Sequence, residues 1–432
     1  MEAHTENLAL FYSIPHDTSI ERIDFIDYKS IAALGSGTSL LEFQVNAQAS
    51  NSYISLKHSK IHLRCKITHN APPSKKISFG PVNNFANSLL HNVELALNQQ
   101  SISPESSSHY AYKSFIDTLF NQGHIKKNKY ELQLQMFDMD DSDPRRINNP
   151  NTDLTKLFNG GLVNRTQFVK DGEEFDVETP IYLDFCQQDR LLLNGVEISI
   201  KAWLAKPQFA LMASDDKVDF KITVTDATLR LCTVKVSPGV IIGHNEALKK
   251  EPAIYYYNRS VIKCYNLAEK QQNATIDQLF NELPQEVIVA LLPSANYNGG
   301  YDKNPFFFPN LGLSYLSFLC DGVSCPGRPF QPRYHINQYD KSRYMREYSS
   351  IFTGKDSDSL IDISKEDYYN AFAFYKFTLS TPEKDVIPLR KRINARIDLA
   401  FTNPLNQSVV VMVYAKFHDS LKIDASRSII LQ

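Results

Sequence analysis

Short stretches in which apolar and polar residues alternate recur along most of the chain. In the clearest of them, Val93, Leu95 and Leu97 share one face and polar or small residues separate them. This period of two is typical of a β-strand with one buried face. Further strands are predicted at 40–45, 61–68, 181–185, 196–202, 220–224, 229–236, 254–257, 261–267, 287–292, 371–379, 393–401 and 408–418, and 429–431 is predicted to be a tail.

Only two segments show apolar residues at helical spacing. One is 110–120, with the sequence YAYKSFIDTLF, and the other is 275–283, where Leu279, Phe280 and Leu283 form the apolar face. Strands do not alternate regularly with longer helices, so a parallel α/β sheet is not expected. Two long polar stretches, 121–180 and 324–368, are predicted to be surface loops.

An Asn-containing loop followed by an apolar strand and a polar turn occurs twice, at 81–102 and at 304–322. The residues that open the two units are Pro81, Val82, Asn83, Asn84, Asn304, Pro305 and Phe306. The units lie roughly 220 residues apart, each in β-rich sequence, which indicates one architecture used twice. We therefore predict an all-β fold of two consecutive eight-stranded antiparallel jelly rolls, with short helices and long surface loops.

The length of 432 residues suits two cores of about 200 residues each. Residues 240–250 are predicted to form a connector with a helical turn, ending at Glu251 and Pro252. The predicted organisation is an N-terminal arm at 1–20, a first roll at 21–239, a connector at 240–252 and a second roll at 253–432.

Composition indicates a globular protein, with 43% hydrophobic and 22% charged residues. The formal net charge of −2 provides no overall basic field that would attract nucleic acid. No run of about 18 apolar residues occurs, so no membrane span is expected. The N-terminus lacks the features of a secretory signal. The six cysteines are therefore expected to be reduced thiols in an intracellular setting.

Several blocks, in this order and spacing, resemble the double jelly-roll major capsid (hexon-type) proteins of Maverick/Polinton elements and adintoviruses. The blocks are SYISLKHSKIHLRCKI (52–67), GPVNNFANSLLHNVELALNQQSIS (80–103), YAYKSFIDTLF (110–120), DFCQQDRLLLNGVEISIKAW (184–203), NEALKKEPAIYYYNRSVIKCY (245–265) and NPFFFP (304–309). The resemblance covers most of the chain, although each block by itself is only moderately specific.

This resemblance implies a homotrimer whose six rolls form a pseudo-hexagonal tile of an icosahedral shell. It implies neighbouring capsomers and a single jelly-roll vertex (penton) protein as partners. It also implies a location in the virion capsid after assembly inside the host cell. The N-terminal arm would tie neighbours together, and the long loops would rise from the outer end of each roll.

The acidic run of Asp138, Asp140, Asp141 and Asp143 resembles a calcium-binding loop. An EF-hand requires Gly at its sixth position and Glu at its twelfth, and Asp143 and Asn149 stand there instead. A solvated loop is therefore favoured over an irregular cation site.

Two further candidates for metal binding are weak. His58 and His62 are four residues apart, which suits a metal on a helix, but they lie across the start of a predicted strand, where this spacing spans about 13 Å. Cys320 and Cys325 would need two more ligands, and His335 is the nearest candidate. We therefore predict no metal, and the sequence contains no motif for a cofactor.

No catalytic motif is present, and we predict that the protein is not an enzyme. Glu94, Asp184 and Glu197 are predicted strand carboxylates that could pair across the mouth of a roll, as in a glycosidase. Charges on a sheet surface are the more common explanation. A two-domain jelly-roll carbohydrate-binding protein or hydrolase is the alternative function, and a single-roll vertex protein is disfavoured by the length.

Two clusters of residues leave two interpretations open. The basic residues Arg390, Lys391, Arg392 and Arg396 suit non-specific contact with packaged DNA, or a charged strand edge that discourages pairing, which is favoured. The aromatic runs 255–257 and 306–308 suit a carbohydrate platform, or packing inside a roll or at a subunit seam, which is again favoured.

Overall fold

A computed structural model of the chain describes residues 18–35, 37–47, 52–72, 78–102, 109–121, 140, 143, 144, 159–169, 172–335, 338, 340–353, 361, 363–379 and 390–431. Most of the predicted N-terminal arm lies outside the described residues, as do Asp138 and Asp141. Among the described helices, none is long and apolar enough to cross a membrane.

The first half of the chain contributes ten strands to the described structure. They are β1 (Ile20–Lys29), β2 (Leu40–Val45), β3 (Ser52–His69), β4 (Phe79–Pro81), β5 (Leu90–Leu97), β6 (Gln100–Ser101), β7 (Glu174–Pro180), β8 (Ile198–Leu204), β9 (Leu211–Ala213) and β10 (Phe220–Val236). Among the described residues, the short strands β4 and β9 form a separate two-stranded sheet.

Nine strands follow in the second half of the described structure. They are β11 (Ala253–Leu267), β12 (Asn273–Ile276), β13 (Glu286–Pro293), β14 (Leu313–Cys320), β15 (Val323–Ser324), β16 (Phe374–Thr378), β17 (Ala395–Phe401), β18 (Val409–Ile423) and β19 (Ile429–Leu431). The last of them, β19, pairs with the end of β18.

The helices of the described residues are short and lie between strands. They are α1 (Phe85–Ser88), α2 (Tyr110–Asn121), α3 (Gly160–Thr166), α4 (Pro207–Ala210), α5 (Pro238–Leu248), α6 (Ser294–Asn298), α7 (Met345–Ser350) and α8 (Lys365–Asn370), together with a 3₁₀ helix at Asp184–Gln187. The predicted helix at 110–120 is confirmed as α2. The predicted helical turn of the connector extends into α5, which begins with Pro238.

The strand order is the same in both halves. The first half forms the sheets β1-β10-β3-β7 and β2-β8-β5-β6, and the second forms β11-β18-β13-β16 and β12-β17-β14-β15. If β4, β9 and β19 are set aside, both halves have the orders 1-8-3-6 and 2-7-4-5. Neighbouring strands run antiparallel. The prediction of two consecutive jelly rolls is confirmed, and the residue boundaries of the domains stay a prediction.

Each roll has its own apolar core, and a third apolar cluster joins the rolls. Strand β13 contributes side chains to two of these apolar clusters. Val289 faces the core of the second roll, whereas Ile288 and Leu292 belong to the cluster that joins the rolls. Because both faces of this strand are buried, its sequence is a continuous apolar run rather than an alternating one.

The predicted helix at 275–283 is wrong. Residues Asn273–Ile276 form β12, which pairs with β17, and no helix follows. Thr275 and Ile276 are β-branched and favour a strand, and Gln278 has a φ of 52°, which interrupts a right-handed helix. Leu279 and Phe280 are nevertheless buried in the core of the second roll. Their helical spacing reflects burial of an irregular segment.

Two predictions in the first roll are also corrected. The predicted strand at 181–185 is irregular and leads into the 3₁₀ helix, although all five residues are buried. The predicted loop at 121–180 contains α3 and β7. Strand β7 lies at the edge of its sheet and alternates Phe175 and Val177 with carboxylates, so half of it is polar. In the second roll, the predicted loop at 324–368 likewise contains α7 and the beginning of α8.

Candidate functional site: the junction between the rolls

Helix α2 lies between the two rolls and is buried from residue 110 to residue 120. A helix on a protein surface would expose one side, but here both rolls cover it. The ring of Phe115 stacks on that of Phe306 from the second roll, with the ring centroids 4.7 Å apart. Phe115 and Phe306 belong to the apolar cluster that joins the rolls, so α2 forms the middle layer of the junction.

The first Asn-containing loop holds α2 by hydrogen bonds. Asn84 has φ 60° and ψ 39°, a left-handed conformation that Asn tolerates better than most residues. Its side-chain nitrogen donates to Ser114 Oγ of α2 at 2.8 Å, and its side-chain oxygen accepts from Asn87 at 2.7 Å. Asn83 accepts from the backbone nitrogen of Asn84 at 3.0 Å. The loop is thereby fixed against the helix.

The residues before Asn84 are equally buried. The carbonyl of Pro81 accepts a hydrogen bond from the Arg165 guanidinium at 2.8 Å. Val82 donates its backbone hydrogen bond to the carbonyl of Ala210 at 3.0 Å, and its side chain lies in the cluster that joins the rolls. This loop therefore connects α3 and α4 to the junction.

The second Asn-containing loop places an aromatic ring on the same helix. Asn304 accepts a hydrogen bond from the backbone nitrogen of Phe306 at 2.9 Å, which forms a local Asx turn. The carbonyl of Asn304 accepts from the Asn296 side chain at 2.8 Å. Pro305 is buried, and Phe306 is only 2% exposed. The two loops thus meet at α2, and their role as a family signature stays a prediction.

A buried network of charged side chains crosses the junction. In the first roll, Lys113 Nζ lies 2.6 Å from Asp117 Oδ2 and 3.0 Å from Asp184 Oδ1. Two residues of the second roll donate hydrogen bonds to these carboxylates. Both the backbone nitrogen and Oγ of Ser260 donate to Asp184 at 2.8 Å. The Tyr414 hydroxyl donates to Asp117 Oδ1 at 2.6 Å.

Glu286 continues this network inside the second roll. Its carboxylate oxygens lie 2.8 Å from Lys416 Nζ and 3.0 Å from Lys376 Nζ. Lys416 also lies 3.9 Å from Asp117 and so links the two parts. The three lysines and three carboxylates of the network balance, so no net charge is buried. This balance offsets part of the large cost of removing the charges from water.

Burial and opposite charge act against each other on these groups. Burial raises the pKa of Glu286, but the two neighbouring lysines outweigh it and lower the pKa to about 2. Burial also raises the pKa of Asp117, and its lysine neighbours again bring it below the ordinary value. Burial lowers the pKa of Lys113, whereas the adjoining carboxylates raise it above the ordinary value. All three groups are therefore charged at neutral pH.

We expect the free energy of unfolding to fall as the pH drops from about 4.5 towards 2, the ordinary and folded pKa values of Glu286. A lowered folded pKa means that the unfolded chain takes up the proton first, so stability present above pH 4.5 is lost through this window. Denaturant titrations at a series of pH values measure the slope. In Glu286→Gln the slope should be smaller, and equal slopes in both proteins would contradict this role.

The buried ion network is better suited to holding the two rolls together than to catalysis. A general acid or base needs a pKa near the working pH and access to a substrate. The pKa values of Glu286, Asp117 and Lys113 instead move away from neutrality. Among the three candidate carboxylates, Asp184 lies in the 3₁₀ helix rather than on a strand. Glu94 accepts from Asn92 at 3.3 Å. Glu197 accepts from Gln44 at 2.6 Å, so each of the three has a different partner.

The acidic run contributes an internal ion pair. Asp140 is buried, in contrast to the predicted solvated loop. One carboxylate oxygen accepts from the backbone nitrogen of Leu162 at 2.8 Å, and the other lies 2.5 Å from the Arg165 guanidinium. Arg165 is fully buried and needs a countercharge, which the polar sequence around Asp140 did not indicate.

The two histidines proposed as ligands have different partners, and the two cysteines have no further ligand beside them within the described residues. His58 bonds to Ser55 Oγ at 2.8 Å, whereas His62 lies 3.7 Å from Asp176. Cys320 and Cys325 are free thiols at the β14–β15 hairpin. Within the described part of the chain, no group of three or more His, Cys, Asp or Glu side chains could hold a metal ion.

Two arginines of the basic cluster form ion pairs with carboxylates. Arg390 lies 2.7 Å from Asp419, and Arg396 lies 2.8 Å from Asp398. Of the aromatic runs, Tyr255, Phe306 and Phe308 are buried, while Tyr256 is 44% exposed. Packing therefore accounts for most of these rings, as favoured from the sequence.

No family model matches the chain. An uncharacterized protein of Caenorhabditis elegans is 24% identical over 395 residues, which cover 88% of this chain and 90% of that protein. Its sequence therefore matches through both rolls.

Solved capsid structures match over almost the whole chain. The Sputnik virophage structure gives a TM-score of 0.62 at 12% identity, over 98% of this chain and 91% of that one. The Faustovirus major capsid protein gives 0.58 at 9% identity, over 96% and 92%. The mavirus major capsid protein gives 0.53 at 13%, over 98% and 93%. The chain has the fold of viral major capsid proteins. At these identities the likeness shows the fold alone.

Within this double jelly-roll fold, sequence patterns did not point to the charged residues of the second roll. The available signal was a charged residue inside an apolar strand, as at Lys376 between aromatic residues of β16 and at Lys416 in β18. Charged side chains are rarely buried unless they are paired. Such a lysine therefore predicts a buried partner, although the sequence does not say which carboxylate it is.

Proposed function

We propose that this chain is a structural major capsid protein that trimerises into pseudo-hexameric capsomers of an icosahedral viral shell. The observation that carries the proposal is the strand order 1-8-3-6 and 2-7-4-5, used twice in one chain. Three such chains around a threefold axis present six similar rolls, and cyclic symmetry is common among homo-oligomers. The similar Faustovirus and mavirus chains are themselves major capsid proteins.

The finer assignment rests on the sequence blocks. We propose that the chain belongs with the hexon-type proteins of Maverick/Polinton elements and adintoviruses, assembled inside the host cell and located in the virion capsid. Its proposed partners are neighbouring capsomers, a single jelly-roll vertex protein and packaged DNA. DNA contact would be non-specific and would use exposed Lys391 and Arg392. The proposed rolls span 21–239 and 253–432.

A jelly-roll hydrolase or carbohydrate-binding protein has less support. The candidate carboxylates have separate partners, and Asp184 is enclosed in the junction. Three of the six candidate platform rings are buried, and two more are partly buried against the apolar clusters. Packing between rolls accounts for these residues without a substrate.

The mass of the purified protein in solution tests the proposal. Light scattering after gel filtration should give about three times the chain mass of 49.2 kDa, and negative-stain images of the peak should show hexagonal outlines. The buried junction should leave each copy with two rolls held in one orientation. A monomer at micromolar concentration would count against the capsomer and call for a glycan-binding screen.

A further inference from the structure

The two rolls present the outward faces of their equivalent sheets to different surroundings. In the second roll, Ile288 and Tyr414 on the third and eighth strands point outward and are buried in the cluster that joins the rolls. In the first roll, the third and eighth strands carry Lys60 and Arg230 outward. Both contact Glu178, at 2.8 Å and 3.0 Å. The face of the second roll is covered and mostly apolar, with its charges paired in the buried network, whereas the face of the first roll is open and carries exposed ion pairs.

The open sheet of the first roll also has an apolar edge. Strand β1 is its first strand and has one neighbouring strand, β10, within the described residues. Nearly every residue of β1 is exposed. Large apolar side chains that are 38–61% exposed concentrate on β1 and just after it, at Ile20, Ile23, Phe25, Ile26 and Ile31. Such an edge invites pairing or packing with another chain.

The equivalent edge in the second roll is already covered. Its first strand, β11, lies at the end of its sheet in the same way as β1. The first-roll residues 181–197, which connect β7 to β8, lie along β11. Arg190 donates to the carbonyl of Ile254, and Asp184 accepts from the backbone nitrogen of Ser260 at 2.8 Å. The chain therefore contains one example of how a roll covers the first strand of the next roll.

We infer that the β1 edge, with the outward face beside it, is the surface on which the second roll of another copy of this chain docks. The inference rests on the proposed trimer and locates its seam. In a closed ring of three chains, each roll meets the next roll in a similar way. Within one chain, the first roll covers the first strand of the second. Between chains, the second roll covers β1 of the next copy and repeats that contact.

The two contacts differ in polarity because one forms within a folding chain and the other would form between chains that are already folded. The contact inside a chain forms during folding and buries a mostly apolar face whose charged groups, Glu286, Lys376 and Lys416, are paired with one another. The face that waits for another copy must stay soluble, and it carries exposed ion pairs such as Lys29 with Asp226 and Arg64 with Asp176. Interfaces between separately folded chains have a polar rim around an apolar centre, for which Ile23 and Phe25 supply the apolar side chains.

The double variant Ile23→Asp/Phe25→Asp tests the seam. Val323→Asp is the matched control, because Val323 is 66% exposed at a hairpin of the second roll, against 57% and 55% for Ile23 and Phe25. Light scattering should show a trimer for the wild type and for Val323→Asp, and a monomer for the double variant. Thermal unfolding should show that the double variant is folded. A wild-type monomer would overturn the proposed function itself.

If the double variant is still a trimer, the inferred seam is wrong, but the proposed capsomer is not contradicted. Photocrosslinking gives an independent readout that keeps an aromatic ring in place. With p-benzoylphenylalanine at position 25, irradiation should produce a product of two chain masses whose crosslink maps to the second roll. A crosslink to residues 1–17 of the same chain would identify the arm as the occupant and overturn the inference.

Discussion

Glu286→Leu is expected to lower the free energy of unfolding by about 3–5 kcal/mol, the usual cost of breaking a buried ion pair. The substitution removes the carboxylate that Lys376 and Lys416 share, at 3.0 Å and 2.8 Å. The Lys376 side chain is only 1% exposed and cannot reach water without opening the junction. Chemical denaturation followed by circular dichroism measures the loss.

An exposed ion pair provides the control for this experiment. Glu246 lies 2.6 Å from Lys249, and both side chains are more than 60% exposed. Glu246→Leu should cost less than about 1 kcal/mol, because water screens such pairs. The double variant Glu286→Leu/Lys376→Met should be more stable than Glu286→Leu alone, since it also removes a cation that has lost its carboxylate. Equal losses in the two leucine variants would show that the network does not hold the rolls.

The features that sequence predicts well here depend on local pattern. Strand β2 and helix α2 were predicted almost to the residue, because their apolar positions follow a single period. The fold class follows from many short strands and from a repeated loop-and-strand unit. The incorrect helix at 275–283 shows the limit of this approach. There, burial of Leu279 and Phe280 arises from the tertiary packing of an irregular segment.

The junction depends on contacts that local pattern does not contain. Tyr414 and Asp117 are 297 residues apart in sequence and are joined by one hydrogen bond. Lys113 and Asp117 form an i, i+4 pair that is typical of an exposed helix surface, but Asp184 of the first roll and Tyr414 of the second enclose this pair. The sequence shows that Asn84 and Phe306 open similar units, but their meeting on α2 follows from the arrangement of the two rolls.

The same asymmetry explains why two rolls of one topology have different sequences. Apart from Glu286 and Lys416 of the ion network, the central parts of strands β13 and β18 of the second roll are apolar on both faces because the first roll covers them. Strands β3 and β10 of the first roll alternate, because their outward face carries ion pairs such as Lys60 with Glu178. The amount of alternation in equivalent strands therefore reports which face is covered within the chain.

Phe306→Ala is expected to cost about 3–5 kcal/mol, because it leaves a cavity in a packed aromatic cluster. The Phe306 ring centroid lies 4.7 Å from that of Phe115, 5.6 Å from Tyr112 and 6.1 Å from Phe209. These three partners belong to the first roll, so the cavity opens between the rolls rather than inside either core. The rolls should then unfold less cooperatively, and denaturation should resolve into two transitions.

Phe307→Ala is the matched control for this cavity. Phe307 is the adjacent residue and has the same side chain, but it is only partly buried at the margin of the same cluster. Its replacement removes less buried contact, so the loss of stability should be smaller and unfolding should keep one transition. Calorimetry and denaturant curves distinguish the two variants. A single transition with equal losses in both would mean that the rolls are held together by the ion network rather than by the aromatic stack on α2.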